Sequence, residues 1–368
     1  MFYRPYGKTG KMISALAAGG MRYSEPEKID EMAQIPLAAA RAGVNYFDTA
    51  PGYSNDKSEL ILGAALKQMK KEGLTAYTAT KTWASDEKTV MQHFESSLKR
   101  FGTDKIDFYH AWGVNDPKNF EERKKLGAIK ALQTLKEQGL VGHVVCSTHM
   151  EGEDISRLCD AGIFEGILVG FCAINFPFRM AGLRGANRNS MGVVTMNPLG
   201  GGMITDHEKR FSFIKTRPGQ SILEAALHFN LAHSEITAVL VGFRSVEDVR
   251  TAVAAVESFQ PVADSEMDRI KDGITKNFNE LCTTCNYCDK CPQGIPVVRY
   301  MEAYNHYLLY GKPGNITDRL KWHWGIQDLS RLEDCTECRL CEEKCNQKLP
   351  ILERYKEMKR MAGSKAVK

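Results

Sequence analysis

The sequence predicts an α/β fold: a (β/α)8 TIM barrel followed by a small, mainly α-helical domain built around cysteines. Three observations predict it. Eight short apolar runs rich in Val, Ile and Ala recur through the first 258 residues. Longer segments with helical spacing of apolar residues lie between most of them. Eight of the eleven cysteines fall within 282–345.

The strand-like runs are 13–19, 44–48, 76–81, 106–110, 141–147, 166–170, 192–196 and 238–242. The helical segments include 29–42, 57–70, 86–101, 125–138, 221–232 and 245–257. Strands alternating with helices imply a parallel sheet. Eight such units in this length fit a closed barrel. An open doubly wound sheet is the alternative. It would want a G-x-G-x-x-G turn after its first strand, and the chain has none. The alternation stops near Phe259-Gln260-Pro261. The expected division is therefore a barrel over 1–260, a linker helix over 261–279 and a cysteine domain over 280–368. In that last part, 297–309 has helical spacing and KPGN at 312–315 signals a turn. Trp322 and Trp324 are expected to pack this domain. The basic tail after Pro350 is expected to be solvated.

The 49 basic and 45 acidic residues of the 368 leave a net charge of +4, too even a balance for a nucleic-acid binder. No apolar stretch approaches a membrane span, and MFYRPYGKTGKMIS has no signal-like apolar region. A cytoplasmic location is expected. A reducing cytosol disfavours a disulfide framework, so clustered cysteines there read as metal ligands or redox centres. The scattered Cys146, Cys159 and Cys172 read as buried small hydrophobes.

Reactive groups of such a barrel sit at the carboxyl ends of its strands. The second run ends at Asp48 in NYFDTAPGY, the third at Lys81 in AYTATKTW and the fourth at His110 in IDFYHAWG. Tyr53 lies in the loop after Asp48. These four can converge at one mouth. DTAPGYSNDKSE, the strand-end Lys and His, and the opening YGKTG resemble the aldo-keto reductase superfamily over residues 1–258.

The resemblance implies hydride transfer between NADPH (or NADH) and a carbonyl or alcohol, with Tyr53 as proton donor. A free tyrosine has a pKa near ~10, and a nearby ammonium lowers it. Lys81 is expected to supply the ammonium, Asp48 to hold Lys81, and His110 to orient the substrate carbonyl. For the cofactor, LVGFRSVED at 240–248 reads as the last strand, a turn and a helix capped by Ser245. Backbone N–H groups there, with Gly242, suit a phosphate, and Arg244 suits a 2′-phosphate. PLGGG at 198–202, with Pro198, Leu199 and Gly200, would bring bare backbone to the pyrophosphate. Ser147, Thr148 and Asn175 sit where the family often holds the nicotinamide amide. Four positions depart from the family's pattern. Met196 replaces the aromatic that often stacks on nicotinamide, Phe171 replaces a Gln, and Thr251 and Ala252 replace a Glu-Asn pair.

CTTCNYCDKCP at 282–292 reads C-x2-C-x2-C-x2-C-P, and CTECRLCEEKC at 335–345 reads C-x2-C-x2-C-x3-C, the bacterial ferredoxin spacing. Three thiolates at a stride of three serve one cubane, and the fourth comes from the other run. Cys282, Cys285, Cys288 and Cys345 would hold one [4Fe–4S] cluster. Cys335, Cys338, Cys341 and Cys291 would hold a second. Two features depart from the pattern: the short last gap of the first run, and Asn346 where Pro is usual. Zinc would need only two C-x2-C pairs. A barrel of this family with a C-terminal ferredoxin-like domain is a subfamily that the whole chain resembles.

The expected protein is a redox enzyme with two-electron chemistry in the barrel and one-electron transfer through the clusters. It acts on a small carbonyl or alcohol, without nucleic acid or membrane, and a ferredoxin or flavodoxin-type carrier is the candidate partner. One alternative places FMN in the cleft with the clusters as its relay. A second makes the clusters purely structural. A non-enzymatic carrier would have lost a member of the tetrad, and none is lost.

Overall fold

The computed structural model describes residues 1–114, 116–277, 280–282, 288–345 and 348–363. It divides into two compact units, Met1–Ala263 and Asp264–Lys368. The linker helix expected over 261–279 starts at Asp264 and belongs to the second unit.

The first unit opens with an antiparallel hairpin, β1 (Tyr3–Pro5) and β2 (Met12–Ser14). Eight parallel strands follow: β3 (Leu16–Gly19), β4 (Tyr46–Asp48), β5 (Tyr77–Thr82), β6 (Ile106–Ala111), β7 (Val141–Thr148), β8 (Gly166–Gly170), β9 (Gly192–Met196) and β10 (Ala238–Gly242). They close in sequence order, with β10 pairing β3. The expected run 13–19 divides at Ala15, its first half serving the hairpin and its second the barrel. Six helices were read from the sequence. The structure adds Pro117–Lys125, Gly152–Asp160 and Phe176–Arg188.

Local chemistry sets the helix ends. Asp86, Asp116 and Ser245 each accept a backbone N–H of the first turn, and Ser221 with Glu224 forms a capping box. Gly102 closes Glu87–Phe101 in the left-handed conformation.

The barrel interior holds Ala17, Tyr46, Ala79, Phe108, Val145, Leu168, Val194, Ala238 and Leu240. Small residues on some strands face large ones on others, which fills the centre. Tyr6, just after β1, is fully buried against Phe108 at 4.8 Å between ring centres. Gly166 and Gly192 make room for it: a Cβ on either would lie 2.1–2.2 Å from the Tyr6 ring or hydroxyl. Since this core runs below the strand ends, the polar residues one pleat higher, Asp48, Lys81 and His110, are left to form the mouth.

The second unit is helical, with no strand among its described residues. Its longer helices are Asp264–Asn277, Val297–Tyr310, Gly314–Trp324 and Ile351–Gly363. Its core joins Tyr300, Met301, Leu320, Leu332, Ile351 and Met358 with Cys282, Cys288 and Cys345. Trp324 packs against this core and donates its Nε1–H to Glu302 at 2.8 Å. Trp322 does not pack: it is 80% exposed. The basic tail is not wholly solvated either, since Arg354 is buried. No described helix is long and apolar enough to cross a membrane.

Candidate active site and cysteine cavity

Three successive strands deliver the buried polar cluster. In register, β4 pairs Asp48 with Ala79 of β5, and β5 pairs Lys81 with His110 of β6. Lys81 Nζ donates to Asp48 Oδ1 at 2.5 Å and to the Thr49 carbonyl at 2.6 Å. His110 Nε2 lies 3.7 Å from Asp48 Oδ2 and 3.3 Å from the Tyr46 hydroxyl. All three side chains are almost wholly buried.

The loop after β4 places Tyr53. Ser54, Asn55 and Asp56 run consecutively in the left-handed region, which non-glycine residues enter only when held there. Asp56 does the holding: its carboxylate accepts from Gly52 N at 2.9 Å and from Arg100 at 2.8 Å. Tyr53 is thereby half-buried over Lys81, whose Nζ lies 4.9 Å from its ring centre. Its other side meets Trp112 edge-on at 5.5 Å, and Trp83 extends that wall.

Burial opposes charge throughout the cluster. It raises the Asp48 carboxyl against the pull of Lys81. On Lys81 burial acts downward, but Asp48 and then Tyr53 outweigh it and the ammonium sits above its ordinary value. Burial, then the Lys81 charge, holds His110 well below the histidine range. Tyr53 differs from expectation. Lys81 lowers its pKa as predicted, yet burial exceeds that effect and the phenol lies above its ordinary value.

A cleft of about 380 Å³ opens over this cluster, within the range of small-molecule sites. Of the expected residues, Asp48, Tyr53, Met196, Pro198, Leu199, Gly242 and Arg244 line it. Lys81 and His110 lie buried beneath. Gly200 sits in the left-handed turn beside it and donates to the Asn197 carbonyl. Ser147, Thr148, Asn175 and Ser245 do not line it. Thr148 Oγ1 accepts from Met150 N, Asn175 Oδ1 from Cys172 N and Ser245 Oγ from Asp248 N. Phe171 is buried in an aromatic cluster with Phe176, Phe229 and His233.

Sequence reasoning missed Gly19, Gly20 and Arg22 at the end of β3, and Thr205 and Asp206 beyond the glycine turn. The position of Gly19 and Gly20 at a strand's carboxyl end was the available signal. Gly242 accommodates Arg22, whose Cγ would be 2.7 Å from an added Cβ.

In the second unit, Cys291, Cys335, Cys338 and Cys341 line one small cavity, together with Ile295, Leu352 and Tyr355. Cys282, Cys288 and Cys345 are buried in the core. Asn305 clamps Cys282 by accepting from its N–H at 2.8 Å and donating to its carbonyl at 2.7 Å. Leu349 N donates to Cys345 Sγ at 3.5 Å. Cys285 and Asn346 lie outside the described residues. Among the described residues no group of three His, Cys, Asp or Glu is gathered closely enough to hold a single metal ion. Cys146, Cys159 and Cys172 are buried, and burial raises all three thiols, Cys159 to about 12.

Comparison with known proteins addresses the barrel. The model of the Aldo/keto reductase family matches residues 15–274. L-galactose dehydrogenase of Arabidopsis thaliana is 26% identical, covering 70% of this chain and 88% of that protein. NADH-specific methylglyoxal reductase of Escherichia coli is 23% identical, over 63% of this chain and 85% of the relative. The solved holo form of an aldo-keto reductase from Bacillus halodurans superposes with a TM-score of 0.64 at 22% identity, covering 74% of this chain and 96% of that one. The chain belongs to the aldo/keto reductase family and is an NAD(P)-dependent oxidoreductase of that type.

Proposed function

We propose that the barrel reduces a small carbonyl compound, or oxidises the matching alcohol, with Tyr53 as general acid, and that the second unit holds two [4Fe–4S] clusters. The observation that carries the first part is the convergence of Asp48, Lys81, His110 and Tyr53 under one cleft. The cleft suits a dinucleotide: Gly19, Gly20, Gly201, Gly202 and Gly242 bare their backbone there, and Arg22 and Arg244 bring cations.

NADPH or NADH, when bound, supplies the hydride to the carbonyl carbon. The chain's residues account for the proton. His110 is neutral, so it offers a hydrogen bond to the carbonyl oxygen but no acid. Lys81 is tied to Asp48 and Thr49. Tyr53 remains as the group that gives its proton to the oxygen, and the Lys81 ammonium stabilises the phenolate left behind. Solvent restores the proton. In the Tyr53→Phe variant, turnover should fall by ~100-fold or more while cofactor affinity is kept. Unchanged turnover would remove Tyr53 as the acid.

The cavity walled by Cys291, Cys335, Cys338 and Cys341 supports the cluster reading. A cubane spreads its four thiolates around a volume, whereas tetrahedral zinc gathers them at a point. When bound, the clusters would pass single electrons, with a ferredoxin or flavodoxin-type carrier as the outside partner. Iron and sulfide analysis of protein purified without oxygen tests this, and their absence would refute it. The departures at Phe171, Thr251 and Ala252 from the family's cofactor contacts keep FMN as the alternative occupant of the cleft. A firmly bound yellow chromophore would establish it.

A further inference from the structure

Thr80 precedes Lys81 in β5, and Gly52 precedes Tyr53 in the loop after β4. A continuous series of polar contacts joins these two neighbours. Lys81 points to the mouth of the barrel, so alternation along the strand sends Thr80 to the helical side. There its hydroxyl donates to Glu59 Oε1 at 2.7 Å, and Ser97 Oγ donates to the same oxygen at 2.8 Å. Arg100 Nη1 donates to Glu59 Oε2 at 3.0 Å, and its Nη2 donates to Asp56 Oδ2 at 2.8 Å. Asp56 Oδ1 accepts from Gly52 N at 2.9 Å. None of Asp56, Glu59, Thr80, Ser97 and Arg100 lines the cleft.

The series is anchored at one end and reaches outward at the other. Glu59, in the first turn of the helix Ser58–Lys71, has a side chain only 1% exposed. Arg100, near the end of the helix Glu87–Phe101, is half-buried, and Asp56 is exposed. The two helices are held close at this point. A Cβ on Gly63 would lie 2.4 Å from the Arg100 carbonyl oxygen. The planar guanidinium then aims two donors at two carboxylates in a fixed geometry. What it holds is a loop under strain, because Ser54, Asn55 and Asp56 all lie in the left-handed region.

We propose that Glu59 and Arg100 are positioning residues that set the distance between the Lys81 ammonium and the Tyr53 phenol. The inference rests on Tyr53 acting as the general acid. Lys81 Nζ lies 4.9 Å from the Tyr53 ring centre, and its stabilisation of a phenolate weakens with separation. Displacing a reacting group by about 1 Å can cost ~100-fold in rate. With the series broken, the loop relaxes and carries Tyr53 away from Lys81, while the glycines and cations of the cleft stay in place.

The test is steady-state kinetics on the full chain with NADPH and a small aldehyde. Arg100→Gln should lower kcat about tenfold or more, with KM for the aldehyde and affinity for NADPH kept. Arg100→Lys keeps the charge but loses the fork, and should recover part of the loss. Asp56→Asn leaves the Glu59–Arg100 pair intact and keeps a residue that tolerates left-handed backbone. It should therefore hold the thermal midpoint and still lose kcat, which keeps the test decisive if Arg100→Gln does not fold. In the Tyr53→Phe background there is no phenol to place, so neither variant should cost anything further. A general loosening of the barrel would instead lower both backgrounds by the same factor. That equal loss, or full turnover in Arg100→Gln or Asp56→Asn, overturns the inference and leaves Tyr53 standing as the acid. Unchanged turnover in Tyr53→Phe alone overturns the acid reading and the inference with it.

Discussion

Lys81 reaches from one strand to the next and binds the Asp48 carboxylate at 2.5 Å, with neither side chain more than 3% exposed. Each member removes the other's need for water. Asp48→Asn would leave the Lys81 ammonium buried without a full counter-charge, a loss of about 3–5 kcal/mol. The variant should melt several degrees lower and lose ~100-fold or more in kcat/KM. Calorimetry and steady-state kinetics on the same preparation check both.

The pH behaviour follows from burial. Tyr53 stays protonated beyond the ordinary tyrosine value of 10.0, so reductive kcat/KM should show no basic limb below that pH. His110 stays neutral in the folded chain below the ordinary value of 6.5. Below that value the unfolded chain takes up a proton that the folded chain refuses. Its stability contribution is therefore complete above 6.5 and is lost as pH falls toward the depressed folded value. His93 and His228, also lowered by burial, act in the same direction. Urea unfolding should give a lower stability at about pH 5.5 than at about pH 7.5, and His110→Asn should lessen the difference.

Gly192→Ala should damage the barrel from its closed end. The new Cβ would fall 2.2 Å from the Tyr6 ring. Overpacking of this kind costs about 1–3 kcal/mol. A lowered thermal midpoint, partly restored by adding Tyr6→Leu, is the expected result.

Arg244→Ala tests the cofactor end of the cleft. Loss of a charge-assisted contact to a 2′-phosphate should weaken NADPH about tenfold and NADH hardly at all. Fluorescence titration with each nucleotide measures it. Equal weakening of the two would assign Arg244 to the pyrophosphate instead.

Much of the barrel was legible because both faces of its strands are buried and therefore read as continuous apolar runs. The missed helices have physical reasons. Phe176–Arg188 carries Gly182 and Gly185, which weaken its helical signal. They are there because a Cβ would lie 2.8 Å from Ile155 and 2.7 Å from Ser156 of the neighbouring helix. Ala15 divides the first run because hydrogen bonding to the hairpin, not periodicity, decides where β3 begins.

In the site, Asp48, Lys81 and His110 were readable as polar residues ending apolar strands. Tyr46 was not, since an aromatic two residues before Asp48 looks like core until its hydroxyl is seen 3.3 Å from His110. Arg22 follows its strand as a lone cation without a motif. The sign of the Tyr53 shift needed the structure, because sequence shows which charge is near but not how much water is excluded. Arg354 escaped for the same reason, as one of several basic residues in a tail that sequence alone leaves in solvent.

The most direct test of the central claim is to follow the hydride. NADPH carrying deuterium at the transferring position is incubated with the protein and a small aldehyde, and the alcohol is examined by mass spectrometry and NMR. The account predicts one deuterium on the carbinol carbon with wild-type protein, and the same label formed at least ~100-fold more slowly with Tyr53→Phe. Alcohol formed without label, or at the same rate in both proteins, would contradict it.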